Sequence, residues 1–180
     1  AVGVAIMWAT ELQPFFMGII VSALIGIALT LPISSAAICA ALSLTGLAGG
    51  AAVAGCCAQM IGFAVISYRD NGLGGLISQG VGTSMLQIGN IFRKPVIWLA
   101  PTLTSAILGP VSTVWLQMSN NSLGAGMGTA GLVGPLAAYA TMIDQGAASG
   151  PLVIKIISLY FIAPAVISLC IHLMMKKAGI

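Results

Sequence analysis

Apolar residues run through this chain in long blocks separated by short polar or glycine-rich breaks, and block length sets the first expectations. Phe15 to Leu31 carries no charge and places Gly18, Ser22 and Gly26 at four-residue spacing, a small-residue face that admits a neighbouring helix closely. Pro32 ends it, because proline removes a backbone donor and restricts the residue before it. Ala36 to Ser67 is again apolar, too long for one crossing of a hydrocarbon core about 30 Å thick. Thr45-Gly46-Leu47-Ala48-Gly49-Gly50 divides it into a short re-entrant half-helix, 36–44, and a second span, 51–67.

Tyr68-Arg69-Asp70-Asn71-Gly72 reads as a charged turn closed by Asn-Gly. Residues 73–92 interleave apolar side chains with glycine, serine, glutamine and asparagine, too polar for a lipid-facing span, so an interfacial or re-entrant segment is expected. Val96 to Met118 forms a third span kinked by Pro101 and Pro110. Ser119 to Pro135 holds adjacent asparagines, glycines at every second position and a terminal Gly134-Pro135. Such a stretch leaves backbone groups without helical partners, which hydrocarbon tolerates only where protein or water supplies them. A second re-entrant segment is predicted there, then a helical turn or two over 136–142, a loop at 144–146 and a last span from Pro151 to Met175.

The expected fold is therefore an all-α polytopic membrane protein. It has about four spanning helices, two outer re-entrant glycine-rich segments and one inner interfacial or re-entrant segment. Composition agrees: 59% of the 180 residues are hydrophobic and 5% charged, against roughly a quarter charged in soluble domains. Residues 1–180 make one membrane-embedded domain with no room for a separate soluble catalytic unit. The start at Ala1, without a leader pattern, leads us to expect a processed or partial version of a longer chain. A net charge of +3, placed between apolar blocks, reports orientation rather than a nucleic-acid partner. Arg69, Arg93-Lys94 and Lys176-Lys177 mark three cytoplasmic points, which sends the first span outward and the second inward. The third then runs outward and the last inward, with both glycine-rich breaks on the outer side. Gly46-Leu47-Ala48-Gly49 and Gly131-Leu132-Val133-Gly134 fall at equivalent places in two span, re-entrant, span units.

Chemistry is sparse. Cys39, Cys56, Cys57 and Cys170 sit in apolar surroundings without metal-ligand spacing and read as packing residues. Gly126-x-Gly128-x-x-Gly131 matches a dinucleotide fingerprint by letter but lacks the preceding strand. Its glycines fit close approach of the backbone to a solute or helix. Glu11, the single glutamate, reads either as a solute ligand or as a helix-start residue near Pro14. Gln59, in mid-span, suits a solute hydroxyl or an interhelical bond. Asn120 and Asn121, with Gly126, Gly128 and Thr129, complete the candidate substrate-binding set. His172 reads as interfacial rather than as a proton relay, and no nucleophile–base set forms around a single histidine. Trp8, Trp98 and Trp115 fit interface belts. No catalytic residue, metal or cofactor is assigned.

Five blocks together resemble one family: Thr10-Glu-Leu-Gln-Pro-Phe-Phe-Met-Gly-Ile-Ile, Leu31-Pro-Ile-Ser-Ser-Ala-Ala, Gly55-Cys-Cys-Ala-Gln-Met-Ile-Gly-Phe-Ala, Gly82-Thr-Ser-Met-Leu-Gln and Gly124-Ala-Gly-Met-Gly-Thr-Ala-Gly-Leu-Val-Gly-Pro. They are similar to the phosphotransferase-system (PTS) sugar transporter subunit IIC proteins, perfringolysin-regulator-like members included. The likeness covers most of residues 10 to 135 and corresponds to the C-terminal half of such proteins. It implies a permease of the bacterial cell (inner) membrane, multi-pass and bathed in membrane lipids, that passes a sugar to a phosphoryl-donating IIB-type subunit. A homo-oligomer is expected. Glu11 matches a sugar-site glutamate by this likeness, while nothing in mid-chain supplies the companion histidine. The rival class is a non-transporting membrane sensor, regulator or oligomeric scaffold.

Overall fold

The computed structural model describes residues 2–179 and builds them from helices, with no strand among the described residues. Two apolar helices, α1 (Val2–Leu12) and α2 (Pro14–Thr30), open the chain, Pro14 standing at the first helical position, where a missing donor costs nothing. A short helix, α3 (Ser35–Ala41), starts at a cap: the Ala37 amide donates to Ser34 Oγ at 3.1 Å. The long α4 (Gly46–Ile66) follows, and α5 (Tyr68–Ile77) is broken at Gly72 and runs into a π-turn, Ser78–Gly82. After a 3-10 turn comes α6 (Ile88–Arg93), and then α7 (Pro95–Trp115). Lys94 is held extended by the following Pro95, which ends α6 and starts α7 in one step. The last elements are the single turn α8 (Ser122–Ala125), α9 (Val133–Asp144) and α10 (Ser149–Lys177).

Helix α4 is the axis of the bundle, buried almost throughout from Ala48 to Ala64. It can be so because its neighbours touch it at backbone distance. A Cβ on Gly55 would strike the Ser22 carbonyl of α2, and one on Gly109 of α7 would strike Gly18 of α2. Hydroxyls fill the remaining gaps: Ser22 Oγ donates to the Ser105 carbonyl at 2.8 Å, and Ser112 Oγ to that of Gly50 at 2.9 Å. Two apolar clusters complete the core. Val21, Ile25, Cys39 and Cys56 form one, and Val53, Cys57, Leu108, Leu159 and Tyr160 the other.

Among the described residues, three helices are long and apolar enough to cross a membrane, namely Gly46–Ile66, Pro95–Trp115 and Ser149–Lys177. The expected first span is a shorter apolar helix of 17 residues. Its direction also differs from expectation. Ile25 pairs with Cys56, and Thr30 with Gln59, while Ser112, Ser105 and Thr102 of α7 meet Gly50, Gly55 and Gln59 in reverse order. Hence α2 and α4 run the same way and α7 runs against both. Residues 31–45 are then a link returning along α4, part extended and part α3, rather than a loop that enters and leaves by one face. The reversal was hidden because no basic residue marks either end of α2 to orient it.

Two boundaries move as well. Gly46 to Gly50, expected to be a break, form the first turns of α4, and the glycines serve close approach: a Cβ on Gly50 would strike the Met118 carbonyl. Gly134-Pro135 lie inside the first turn of α9, where proline is tolerated, and this helix is longer than expected. Pro110, expected to kink the span, closes its regular α-helical part. The π-turn Val111–Trp115 follows it, and the Leu116 amide reaches back five residues to Val111 at 3.0 Å.

Candidate functional site

The polar segment after α7 descends alongside α4. Asn120 pairs with Gly46 through both backbone bonds, at 3.0 and 3.2 Å. Further along, Ser35 Oγ donates to the Gly126 carbonyl at 2.7 Å, and Gly128, at φ 55°, lies against the Cys56 backbone, where a side chain would find both a forbidden conformation and no space. Thr129 then sits beside Met60, its hydroxyl 3.5 Å from the sulfur. Between Gly46 and Met60, α4 rises about 21 Å at roughly 1.5 Å per residue, so the segment travels that depth. It turns back through Gly131 and Leu132, both left-handed, and Gly134 returns against Val53. The two glycine-rich breaks thus meet each other, at Gly46–Asn120 and Ser35–Gly126.

The two asparagines have different tasks. Asn120 is fully buried. Its Nδ2 donates to the Gly134 carbonyl at 3.2 Å and its Oδ1 accepts the Asn121 amide at 2.8 Å, so it staples the descending and returning arms. Asn121 is exposed and caps α8, its Oδ1 accepting the Gly124 amide at 2.8 Å.

Gln59 lies on another face of α4, with no exposure. Its Oε1 accepts from Thr30 Oγ1 at 3.3 Å and Trp98 Nε1 at 3.2 Å, and its Nε2 donates to Thr102 Oγ1 at 3.1 Å. Thr30 continues the chain to Ser84 Oγ at 3.0 Å. These bonds join α2, α4, α7 and the 3-10 turn Ser84–Gln87. Trp98, expected in an interface belt, is half-buried and committed to this network, whereas Trp8 and Trp115 are largely exposed.

At the end of the bundle where α4 finishes, an open cavity of about 420 Å³ is floored by Phe63, Ile66 and Ser67 and walled by Asp70, Asn71, Gln87, Asn90, Arg93, Lys94, Ile97 and His172. A second cavity, of about 510 Å³, adjoins it through Asp70 and His172 and holds Arg69 and Lys176 among mainly apolar walls. The basic points read from the sequence therefore do gather at one end. The first cavity is connected to the glycine-rich segment: Ser67 Oγ on its floor donates to Gln79 Oε1 at 3.2 Å, and the carbonyl of the next residue, Gly80, accepts the Thr129 hydroxyl. Thr129 meets α4 at Met60 and the cavity begins at Phe63, about one helical turn of roughly 5 Å away.

Of the residues singled out by sequence, Asn120, Asn121, Gly126, Gly128 and Thr129 lie on one continuous segment; Thr129 bonds to Gly80, and Gln59 reaches the same stretch at Ser84 only through Thr30. Glu11 is exposed near the end of α1, on the opposite end of the bundle from the cavity. The cavity residues were missed as a group; Arg93-Lys94-Pro95 was their visible signal, read only for orientation. Cys39, Cys56 and Cys57 are buried free thiols, and Cys170 is exposed. A family model described as Phosphotransferase system, EIIC matches residues 1–180. No curated protein and no solved structure matches the chain.

Proposed function

The chain belongs to the phosphotransferase-system EIIC family over residues 1–180, and from that premise we propose that it is a membrane permease subunit that binds a sugar and exposes it alternately to the two faces. The observation that carries this reading is the near meeting of two irregular regions on α4. The segment 119–132 runs in along α4 from one end, the polar cavity opens from the other, and only the Thr129–Gly80 contact and one turn of α4 divide them. Non-helical backbone at membrane depth is tolerated where it is packed in protein or lines a water-filled path, and broken segments of this kind are where transporters hold solutes.

In this reading α2 crosses the membrane along with the three longer helices, and the basic end faces the cytoplasm. Exposed Phe15, Phe16, Ile20 and Leu24 on α2 face lipid or a second copy. Glu11 and Asn121 meet the solute's hydroxyls at the outer side, while Asn120, Gly126 and Gly128 shape the hairpin and Gln59 holds the helices around it. Phosphoryl chemistry comes from a IIB-type partner at the cytoplasmic face. Uptake of radiolabelled sugars into proteoliposomes tests this. Accumulation of at least one sugar, reduced by Asn121→Ala, is expected. Absence of uptake and of binding across a broad sugar panel, with Asn121→Ala silent, would leave the sensor or scaffold reading in its place.

A further inference from the structure

The cavity over Phe63 combines two recognition chemistries that a purely orienting cluster of basic residues has no need of. Arg93 occupies the last turn of α6, and Lys94 is pinned extended by Pro95, so both cations project from a short, fixed stretch of backbone. No protein hydrogen bond among the described residues engages either side chain. Beside them stand side-chain amides. Asn90 Nδ2 donates to Gln87 Oε1 at 2.8 Å, which leaves Gln87 Nε2 and Asn90 Oδ1, together with Asn71, for a guest in the cavity. An arginine fork with a neighbouring ammonium suits a phosphate dianion, and free amides suit hydroxyls. At about 420 Å³ the cavity lies within the range of small-molecule sites, about 300–1,000 Å³.

We infer that this cavity is a site for a soluble phosphate monoester, with Arg93 and Lys94 gripping the phosphate and Asn71, Gln87 and Asn90 meeting the hydroxylated remainder. Over the two adjoining cavities four cations, Arg69, Arg93, Lys94 and Lys176, face the single carboxylate of Asp70, so an anion is favoured. A lipid phosphate is the other source of the same chemistry. It fits the neighbouring cavity better, where Arg69 and Lys176 stand among Val65, Leu76, Leu169 and Leu173. The inference rests on the permease reading only for where the ester comes from, because binding itself requires no transport.

The test uses the full chain in phosphatidylcholine nanodiscs, with inorganic phosphate and glucose 6-phosphate as probes, followed by calorimetry and by phosphorus NMR. Saturable binding of at least one probe is expected, weakened about tenfold or more by Arg93→Gln combined with Lys94→Gln and left unchanged by Lys177→Gln, which lies outside both cavities. An unaltered melting curve shows that the double variant folds, and Asn90→Asp supplies an independent, charge-opposed variant expected to weaken binding too. No saturable binding of either probe, or equal loss in Lys177→Gln, overturns the inference. So does binding abolished by phosphatidylglycerol in the discs, which would assign the site to lipid. A protein that shows no sugar uptake yet binds these probes would fail the permease reading and leave this one standing.

Discussion

The indole N–H of Trp98 donates to Gln59 Oε1 at 3.2 Å, and this bond decides which way round the Gln59 amide sits. An indole nitrogen only donates, so the atom facing it must be the oxygen, and the amide nitrogen is then turned to Thr102. Replacing Gln59 by Leu keeps the volume but strips partners from Trp98, Thr30 and Thr102 at once. We expect a loss of about 1–3 kcal/mol, toward the lower end because polar bonds between membrane helices are individually modest. A melting curve in detergent, with Trp98→Phe as the matching single change, measures it; additive losses in the double variant would show that the two residues are not coupled.

The two adjacent asparagines give a sharper contrast. Asn120→Ala removes a buried staple and leaves the Gly134 carbonyl and the Asn121 amide without their side-chain partners, so a cost of about 2 kcal/mol or more is expected. Asn121→Ala removes an exposed cap, worth about 1 kcal/mol. Stability should fall in that order, and the reverse order would contradict the described arms.

Thr129 separates structure from transport. Its hydroxyl reaches the carbonyl of Gly80, whose neighbour Gln79 accepts from Ser67 of the cavity lining. Thr129→Ser preserves this bond and is expected to keep uptake, whereas Thr129→Val is expected to lower the uptake rate at least tenfold with a melting shift of only a few degrees, about what 1 kcal/mol produces in a domain of this size. Equal uptake by the two variants would remove the contact from the transport cycle.

Two glycines predict opposite outcomes for the same substitution. Gly55→Ala drives a methyl group into the Ser22 carbonyl across two packed backbones and should abolish assembly or cost several kcal/mol. Gly89→Ala, in α6 with nothing within 4 Å, should be neutral or stabilising by about 0.5–1 kcal/mol. Thermal stability of the two purified variants decides it.

These contrasts also show what could be read in advance. Block lengths located α4, α7 and α10 because burial and span length both act through consecutive residues. The break at Ser119 to Pro135 was legible because adjacent asparagines, closely spaced glycines and Gly134-Pro135 fall together there. Gly46 to Gly50 misled, since glycine marks close approach as readily as it marks a break, and only the Met118 and Asn120 carbonyls lying against them decide between the two. The cavity was illegible for another reason. Phe63, Asp70, Gln87, Arg93 and His172 come from five separate stretches, and no local pattern encodes their proximity.

At Gly18, Gly55 and Gly109 the backbones of α2, α4 and α7 meet directly, and the side chains nearest these points are small hydroxyls such as Ser22 and Thr113. A joint of that kind neither slides nor tilts by small steps; it holds or it separates. The trio is therefore the stator of the molecule. The hairpin that packs against it starts and ends at Gln117 and Leu132, residues already outside helical geometry, and its tip is held by the Thr129 hydroxyl on the Gly80 carbonyl.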